Sequence, residues 1–542
     1  MNETTSSSAN RWPAQIKYIV GNEACERFSY YGMRSILAGY VAGEVARGGL
    51  GQTSDAATTI IHTFVFANYF MPLLGAWLSD KLIGRYHTIL WVSLFYCAGH
   101  GVLACSDLIS GVQGKLWCLY AGLSLIAFGS GGIKPCVSAF MGDQFRPDQG
   151  HLLQKAYGAF YWSINFGSFF SFLIIPWVKN HHGYSWAFGI PGILMGIATL
   201  IFWLGTKHYV RVPPSRETKS GGFIPVFLTA YKNQPGLVPL LNVLATLGLP
   251  ALTMIAMTVV AFCEPNESGK LANWAWQLGA ATLVGVGIWY LLVVALSFSG
   301  RVNLPDRFWN AARSRFTEND IAAARSVSPI LIIFALVPVF WSLFDQTSST
   351  WVLQGLKLKE FVIPGIGITI GAEQMQSANP AIVMILVPIL TLLVYPRIGK
   401  FATPLRRMSF GMFLASLSYV VVALIQARLE AGHQFSVLWQ VVPYLILTAA
   451  EVLVSTTGLE FAFREAAAEM KSTIMSFWYI TVAMGNLFVT TITKVFGDGS
   501  HDTSISTSRF LLYAGVTSVV AVLFSAIATT YNYRDKAAAE GR

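Results

Sequence analysis

Along the chain, runs of about 20 mainly apolar residues, the length that crosses a bilayer as a helix, alternate with short polar connections. They predict helices near 15–44, 54–80, 84–106, 115–139, 152–178 and 185–206, then near 236–262 and 272–298, then near 328–352, 379–398, 402–429, 436–463, 472–496 and 506–532. Fourteen spans would leave both termini on one side. The N-terminal MNETTSSSAN is polar, and the first apolar run is long, carries charges and lacks a small-residue cleavage site, so a retained helix is expected instead of a signal peptide. The runs group as six, two and six: an N-terminal six-helix bundle over 1–206, linkers and an inserted helix pair over 207–327, and a C-terminal six-helix bundle over 328–542. Residues 207–222 read as a basic, Pro- and Gly-containing cytoplasmic linker. Residues 299–327 read as a second linker, with Arg307, Arg313 and Arg315 on a surface-lying helix. Two linked six-helix halves suit an architecture in which one bundle rocks against the other around a midplane site.

Composition narrows the class. Only 12% of the 542 residues are charged, 54% are hydrophobic, and the mean hydropathy is +0.53. An ordinary soluble domain carries about 25% charged residues, so a cytosolic enzyme, a disordered chain and a fibrous protein are excluded. The fold class expected is an all-α polytopic membrane protein. The net charge of +10 does not signal nucleic acid, because Lys and Arg form no runs. With the N-terminus in the cytoplasm, 25 of the 37 Lys and Arg fall on the cytoplasmic side and 9 on the other, the bias that orients membrane proteins. Three remain inside spans: Arg27, Arg34 and Lys134. The six cysteines make no CxxC pair or Cys/His cluster and read as free, buried residues. One loop is specific. Gly75-Ala76-Trp77-Leu78-Ser79-Asp80-Lys81-Leu82-Ile83-Gly84-Arg85 resembles the GxLxDrxGrr loop of the major facilitator superfamily, in which Asp80 would pair with basic groups at the cytoplasmic end.

The informative residues are ionisable groups inside spans, each of which costs about 2.5–3.5 kcal/mol at a helix centre on insertion scales. At about 100° per residue, Glu23, Glu26, Arg27, Tyr30 and Arg34 share one face of the first span. Such a stripe lines a water- or substrate-filled cavity; the alternative is a purely structural ion-pair network. A carboxylate whose cationic partner moves away takes up a proton more readily, a physical route to proton coupling. Gly129-Ser130-Gly131-Gly132-Ile133-Lys134-Pro135 fails the spacing of a phosphate loop, and its glycines suit tight helix packing. Lys134 needs a counter-ion, for which Asp345 is the best candidate. Glu451 stands alone in an apolar run with Ser455 one turn on. Cations from one half and a carboxylate from the other suit a ligand charged at both ends. Tyr30, Tyr31, Tyr69, Trp341 and Trp478 would supply walls, and Asn165 and Asn379 could bind amides. His62, a lone histidine in the second span, is either a satisfied structural residue or a proton carrier. The other histidines look peripheral.

These residues carry a family resemblance. Glu23-x-x-Glu26-Arg27-Phe28-x-Tyr30-Tyr31-Gly32 resembles the ExxERFxYYG motif of the proton-dependent oligopeptide transporters (POT/PTR, peptide transporter family) of the major facilitator superfamily. Gly131-Gly132-Ile133-Lys134-Pro135 with Phe140 and Asp143-Gln144-Phe145 resembles the family's GGIKPxVxxFxxDQF signature, and Phe160-Tyr161-x-x-Ile164-Asn165-x-Gly167-Ser168 its FYxxINxGS signature. Phe340-Trp341, Asp345-Gln346 and Ser349-Thr350-Trp351 are similar to its seventh helix, and Glu451, Ser455 and Gly458-Leu459 to its tenth. The inserted helix pair is similar to that of the bacterial members; His62-Thr63-Phe64-Val65 is similar to animal members, in which this histidine is associated with proton handling. Ser455-Thr456 stands where the family often shows Ser-Pro, so a weaker kink is expected, and Ala466-Ala467 stands where Ala-Pro is common.

The resemblance implies the major facilitator fold with fourteen spans and proton-coupled uptake of di- and tripeptides. Arg34 and Lys134 would attract the peptide carboxylate, Glu451 would bind its amine, and Asn165 and Asn379 would lie near its backbone. Glu23, Glu26 and Arg27 would couple the proton, together with Asp345 and His62, and a Lys134–Asp345 bridge between halves would break on proton or substrate entry. No cofactor or metal is expected beyond the proton as coupling ion. The partners expected are di- and tripeptides, protons and the lipid bilayer, with no nucleic acid, for a monomer in the plasma (inner) membrane with both termini cytoplasmic. Plant relatives carry nitrate and other solutes, so the same fold carrying nitrate, an amino-acid derivative or a drug is the alternative. An enzyme or receptor would need a metal motif, a nucleophile–base arrangement or a large extramembrane domain, and the sequence offers none of these.

Overall fold

The computed structural model describes residues 12–146, 149–214, 221–266, 270–365, 367, 369–398, 403–497 and 502–531; residues 215–220 of the expected basic linker lie outside this set. Helices follow the apolar runs within a few residues. They are α1 (Ile16–Ala42), α2 (Ser54–Trp77), α3 (Arg85–Ala104), α4 (Val112–Gly142), α5 (Gly150–Leu204) and α6 (Phe223–Asn233). Next come α7 (Leu237–Phe262), α8 (Asn273–Phe298), α9 (Glu318–Phe334), α10 (Pro338–Ser348) and α11 (Thr350–Gly355), and then α12 (Gln374–Arg397), α13 (Pro404–Glu430), α14 (Val437–Glu465), α15 (Lys471–Val495) and α16 (Thr507–Thr530). Among the described residues, eleven helices are long and apolar enough to cross a membrane, or twelve if the bent pair α9 and α10 is one span. The chain is thus a predominantly helical, integral membrane protein.

Length and apolarity alone do not reach fourteen, for two reasons. At 1.5 Å per residue α1 is about 40 Å long, but every 18-residue stretch of it holds at least three charged groups. The expected spans 152–178 and 185–206 are both helical but run together as α5. They meet at Gly183, whose φ of 81° is open to a residue with no Cβ. The expected span 328–352 is broken, with α9 and α10 meeting at 48°. A small antiparallel hairpin, pairing Phe361 with Ile370 and Val362 with Thr369, was not anticipated.

The chain forms two compact units. The first comprises Met1–Glu217, Thr347–Ile385 and Gln434–Val441; the second comprises Thr218–Gln346, Leu386–His433 and Val442–Arg542. In the first unit α1 packs along α5, and α4 packs on α2 and α3. The glycines of α4 set this spacing, as their string suggested. A Cβ on Gly131 would lie 2.5 Å from the Met71 Cβ, one on Gly129 2.5 Å from the Tyr96 Cβ, and one on Gly132 2.9 Å from Val92. Across the interface, a Cβ on Gly75 would collide with the Gly132 carbonyl and lie 2.7 Å from its Cα. The loop after α2 winds as a π turn over Leu78–Ile83. Arg85 then donates to both carboxylate oxygens of Asp143 at 2.7 Å and lies 3.6 Å from Asp80. Asp80, the acid of the loop, therefore takes second place to Asp143 as the arginine's partner. α11 packs on α1 and α2, and residues 374–377 pack on α5.

In the second unit α13 packs on α16, and α10 packs on α15. A Cβ on Gly485 would lie 2.5 Å from the Pro338 carbonyl oxygen. The inserted pair, α7 and α8, is fastened to α15. Lys494 donates to the Ala261 and Cys263 carbonyls at 2.7 and 2.6 Å, filling acceptors that the end of α7 leaves open. Trp276 donates to the Val495 carbonyl at 2.9 Å. The surface helix expected around Arg307 is only a short turn, Asp306–Asn310, and Arg313 and Arg315 lie beyond it. The chain turns there because Phe308 and Trp309 pack edge-on against Phe227 of α6 at 5.5 and 5.6 Å. Outward faces are apolar: Trp117 is 63% exposed, Leu291 67% and Leu392 72%, an arrangement that suits lipid and not water.

Two glycine substitutions separate packing from helix propensity. Gly75→Ala is expected to destabilise the detergent-solubilised protein by about 1–3 kcal/mol through overpacking. Gly101→Ala, where a Cβ meets nothing within 4 Å, is expected to leave the melting temperature unchanged or slightly raised. Equal melting temperatures for the two variants would contradict the glycine-set spacing of α2 and α4.

Candidate functional site

In the first unit the polar stripe of α1 is buried, as its period predicted. Glu23 and Glu26 are 2% and 1% exposed. The Arg27 Nε donates to Glu23 Oε1 at 2.6 Å and lies 3.0 Å from Glu26 Oε2, so one guanidinium serves two carboxylates. Ser130 Oγ, on the glycine string of α4, lies 3.4 Å from Glu26 Oε1 as a donor. Further along the same face Tyr30 is buried, its hydroxyl accepting from Asn68 Nδ2 at 2.9 Å. Lys134 Nζ lies over two aromatic faces, 4.6 Å from the Tyr30 ring centroid and 4.3 Å from that of Tyr69, a favourable place for a cation. Tyr31 packs edge-on against Tyr30 at 5.3 Å and against Phe172 at 5.6 Å. Arg34 is buried one turn beyond.

Three other expected residues also belong to this unit. His62 is fully buried, and its Nε2 lies 2.8 Å from Ser349 Oγ, so the lone histidine is hydrogen-bonded to the Ser-Thr-Trp string. Asn165 donates to the Tyr161 carbonyl of its own helix at 3.0 Å, and Asn379 is half-buried on α12.

The second unit holds the remainder. Asp345 is 3% exposed and its Oδ2 accepts from Asn486 Nδ2 at 2.7 Å. Trp341 and Trp478 stand edge-to-face with centroids 6.0 Å apart. Gly458 makes room for that wall, since a Cβ there would lie 2.6 Å from the Trp478 ring. Glu451 is half-buried at the end of Val441–Glu451, and the chain then opens into a π turn over Val452–Thr456 that carries Ser455. Where Ser-Thr replaces Ser-Pro, the helix is thus interrupted without a proline, by a wider turn of the kind common at functional sites.

Several partners were missed in the sequence. Asn68, Ser130 and Asn486 are short polar residues in apolar runs, a signal available but weak beside the formal charges. His100, expected to be peripheral, is fully buried, stacked on Tyr96 at 5.2 Å, with Nε2 3.1 Å from Ser29 Oγ on the back of the α1 stripe. Ser29 in turn donates to the Pro191 carbonyl. Lys179 and Glu373, 194 positions apart, form a part-buried pair at 2.5 Å; nothing in the linear sequence joins them.

Comparison with known proteins agrees with these motifs. Residues 86–509 match the PTR2 description, POT family. "Solute carrier family 15 member 1" of Oryctolagus cuniculus is 32% identical over 452 residues, covering 79% of this chain and 54% of that one. "Peptide transporter 3" of Caenorhabditis elegans is 31% identical over 436 residues, covering 78% and 52%. The chain thus spans about half the length of the curated relatives it matches. The crystal structure of the POT family transporter PepTSo superposes with a TM-score of 0.78 at 37% identity, covering 96% of this chain and 99% of that one. The first-span charge stripe, the glycine–lysine string of α4 and the acid of α14 therefore sit on a known scaffold, and the chain belongs to the POT family.

Proposed function

We propose that this protein is a proton-coupled symporter that imports di- and tripeptides by alternating access. The observation that carries the reading is the buried trio on α1, in which Arg27 neutralises only one charge of Glu23 and Glu26 together. Three charges with a net of −1 in a low-dielectric site invite one more positive charge, and a proton is the smallest available. Names of relatives such as "Peptide transporter 3" support the substrate class.

In this reading Arg34 and Lys134 attract the peptide carboxylate, with Tyr30, Tyr31 and Tyr69 beside them. Glu451 binds the amine near Ser455, Trp341 and Trp478, and Asn165 and Asn379 serve the peptide backbone. Lys134 and Asp345 form the bridge that opens on proton or substrate entry, and His62 joins the proton path. The six-helix halves 1–206 and 328–542 rock about this site, with the helix pair of 207–327 inserted between them. Both termini lie in the cytoplasm, on the side richer in Lys and Arg, and the protein acts as a monomer in the inner membrane. The ligand is a zwitterion, so a pocket with cations at one end and an acid at the other matches it without a large net charge.

The primary test is dialanine-driven acidification of proteoliposomes loaded with a pH dye; absence of a signal with any di- or tripeptide would overturn the assignment and turn attention to other solutes. Glu23→Gln and Glu26→Gln are expected to lose gradient-driven uptake while keeping counterflow exchange; equal loss of both activities would indicate a structural network. Glu451→Ala is expected to weaken dipeptide affinity about ten- to hundredfold, the worth of one charge-assisted hydrogen bond, and unchanged affinity would remove the amine from Glu451.

A further inference from the structure

A second ion pair, with a buried carboxylate and a half-buried lysine, lies beyond the α1 stripe. Glu373, immediately before α12, is 3% exposed, and its Oε2 accepts from Lys179 Nζ of α5 at 2.5 Å. Its other oxygen, Oε1, is buried with no hydrogen-bond partner among the described residues. That oxygen lies against Gly39 of α1, where any Cβ would collide with it. Glycine is thus what admits the carboxyl into the helix surface. Next along, Gln376 Nε2 donates to the Ser35 carbonyl at 3.1 Å, holding the same segment on α1.

A buried carboxylate is stable as an anion when both oxygens are compensated. Here one is and one is not. We propose that Glu373 is a further proton-handling residue of this transporter, whose protonation favours the arrangement that buries it between Gly39 and Lys179. Its role in transport rests on the symport reading; the proton uptake itself does not. The surroundings agree. Burial raises the Glu373 carboxyl above the usual carboxylate range, Lys179 pulls it back, and Glu360 of the hairpin pushes it up. The other titratable groups facing it are phenols: Tyr184 of α5, and behind it Tyr40 of α1 at 4.8 Å between rings. Glu44 and Arg47 beyond α1 pair with each other at 3.2 Å in solvent.

The sign follows. A proton is held more tightly by the buried carboxyl than by one in water. Lowering the pH therefore favours the packed arrangement, and raising it through the shifted range weakens it. Lys179 falls on the side with few Lys and Arg, the side from which a symporter takes its protons. Acid on that side would then tighten the packing of this segment on α1 and α5 within the first unit.

Hydrogen exchange on the full-length protein in nanodiscs, corrected for intrinsic rates, tests this without transport. The amides of Leu50, Gln52 and Met375, which donate to the Tyr40, Val41 and Gly371 carbonyls, report the packing. Their protection is expected to rise as pH falls from about 8 to 5, by up to about tenfold per pH unit for one proton. In Glu373→Gln, a neutral mimic of the protonated acid, protection should be high and independent of pH. In Lys179→Gln the rise should begin at higher pH, since the cation that favours the carboxylate is gone. A wild-type pH dependence retained in Glu373→Gln would overturn the proposal, and so would a shift to lower pH, or none, in Lys179→Gln. pH-dependent protection in a protein that moves no peptide in proteoliposomes would sink the symport reading and leave the proton site standing.

Discussion

A charge placed in hydrocarbon must be answered by other protein groups, because water is not there to do it. The Glu23–Arg27–Glu26 trio is where this constraint is felt most sharply. One guanidinium faces two carboxylates on one helix, and short polar side chains such as Ser130 supply what Arg27 cannot. Much of the first unit can be understood as the enclosure this trio requires. Tyr30 is held by Asn68 so that its ring turns a face to Lys134, and Tyr69 offers a second face to the same ammonium. The lysine is thereby stabilised partly by ring quadrupoles, which attract a cation without neutralising it. Ring faces and carboxylates thus hold cations in two different ways within this unit. Arg85, chelated by both oxygens of Asp143, shows the contrast within the same unit.

Enclosure also demands that helices approach closely, and here glycine decides. α4 carries Gly129, Gly131 and Gly132 on faces turned to α2 and α3, each within a distance at which a methyl would have to push a neighbour aside. The same string delivers Ser130 to Glu26 and Lys134 to the tyrosines. Close packing and polar chemistry are therefore set by one stretch of sequence, so a change in helix spacing is felt directly at the charges.

The helices were legible in the sequence because lipid imposes both their length and their apolarity, although two of the expected spans run together as α5 with a kink at Gly183. The break between α9 and α10 was not, since Pro338 in an apolar run marks a bend without giving its angle. The stripe on α1 was legible because formal charges at helical spacing are rare in a span. Its supports were not, because Asn68, Ser130 and Ser349 are common, uncharged residues whose importance comes from what lies across from them. His100 was misread for a related reason: an exposed and a buried histidine look alike in a sequence when the neighbouring residues are small. The π turn after Glu451 was hidden too, because no helix-breaking residue marks it; the turn lies against Gly411, where a Cβ would lie 2.7 Å from Val454 Cγ2.

The fastening of the inserted helix pair has a practical side. Lys494 and Trp276 tie the ends of α7 and α8 to α15 through backbone carbonyls, acceptors that no side-chain substitution on the receiving helix can remove. The pair is therefore tied to the second unit at both helices, with apolar faces turned outward. A fluorophore or antibody fragment mounted on the pair would therefore label the second unit from outside the bundle.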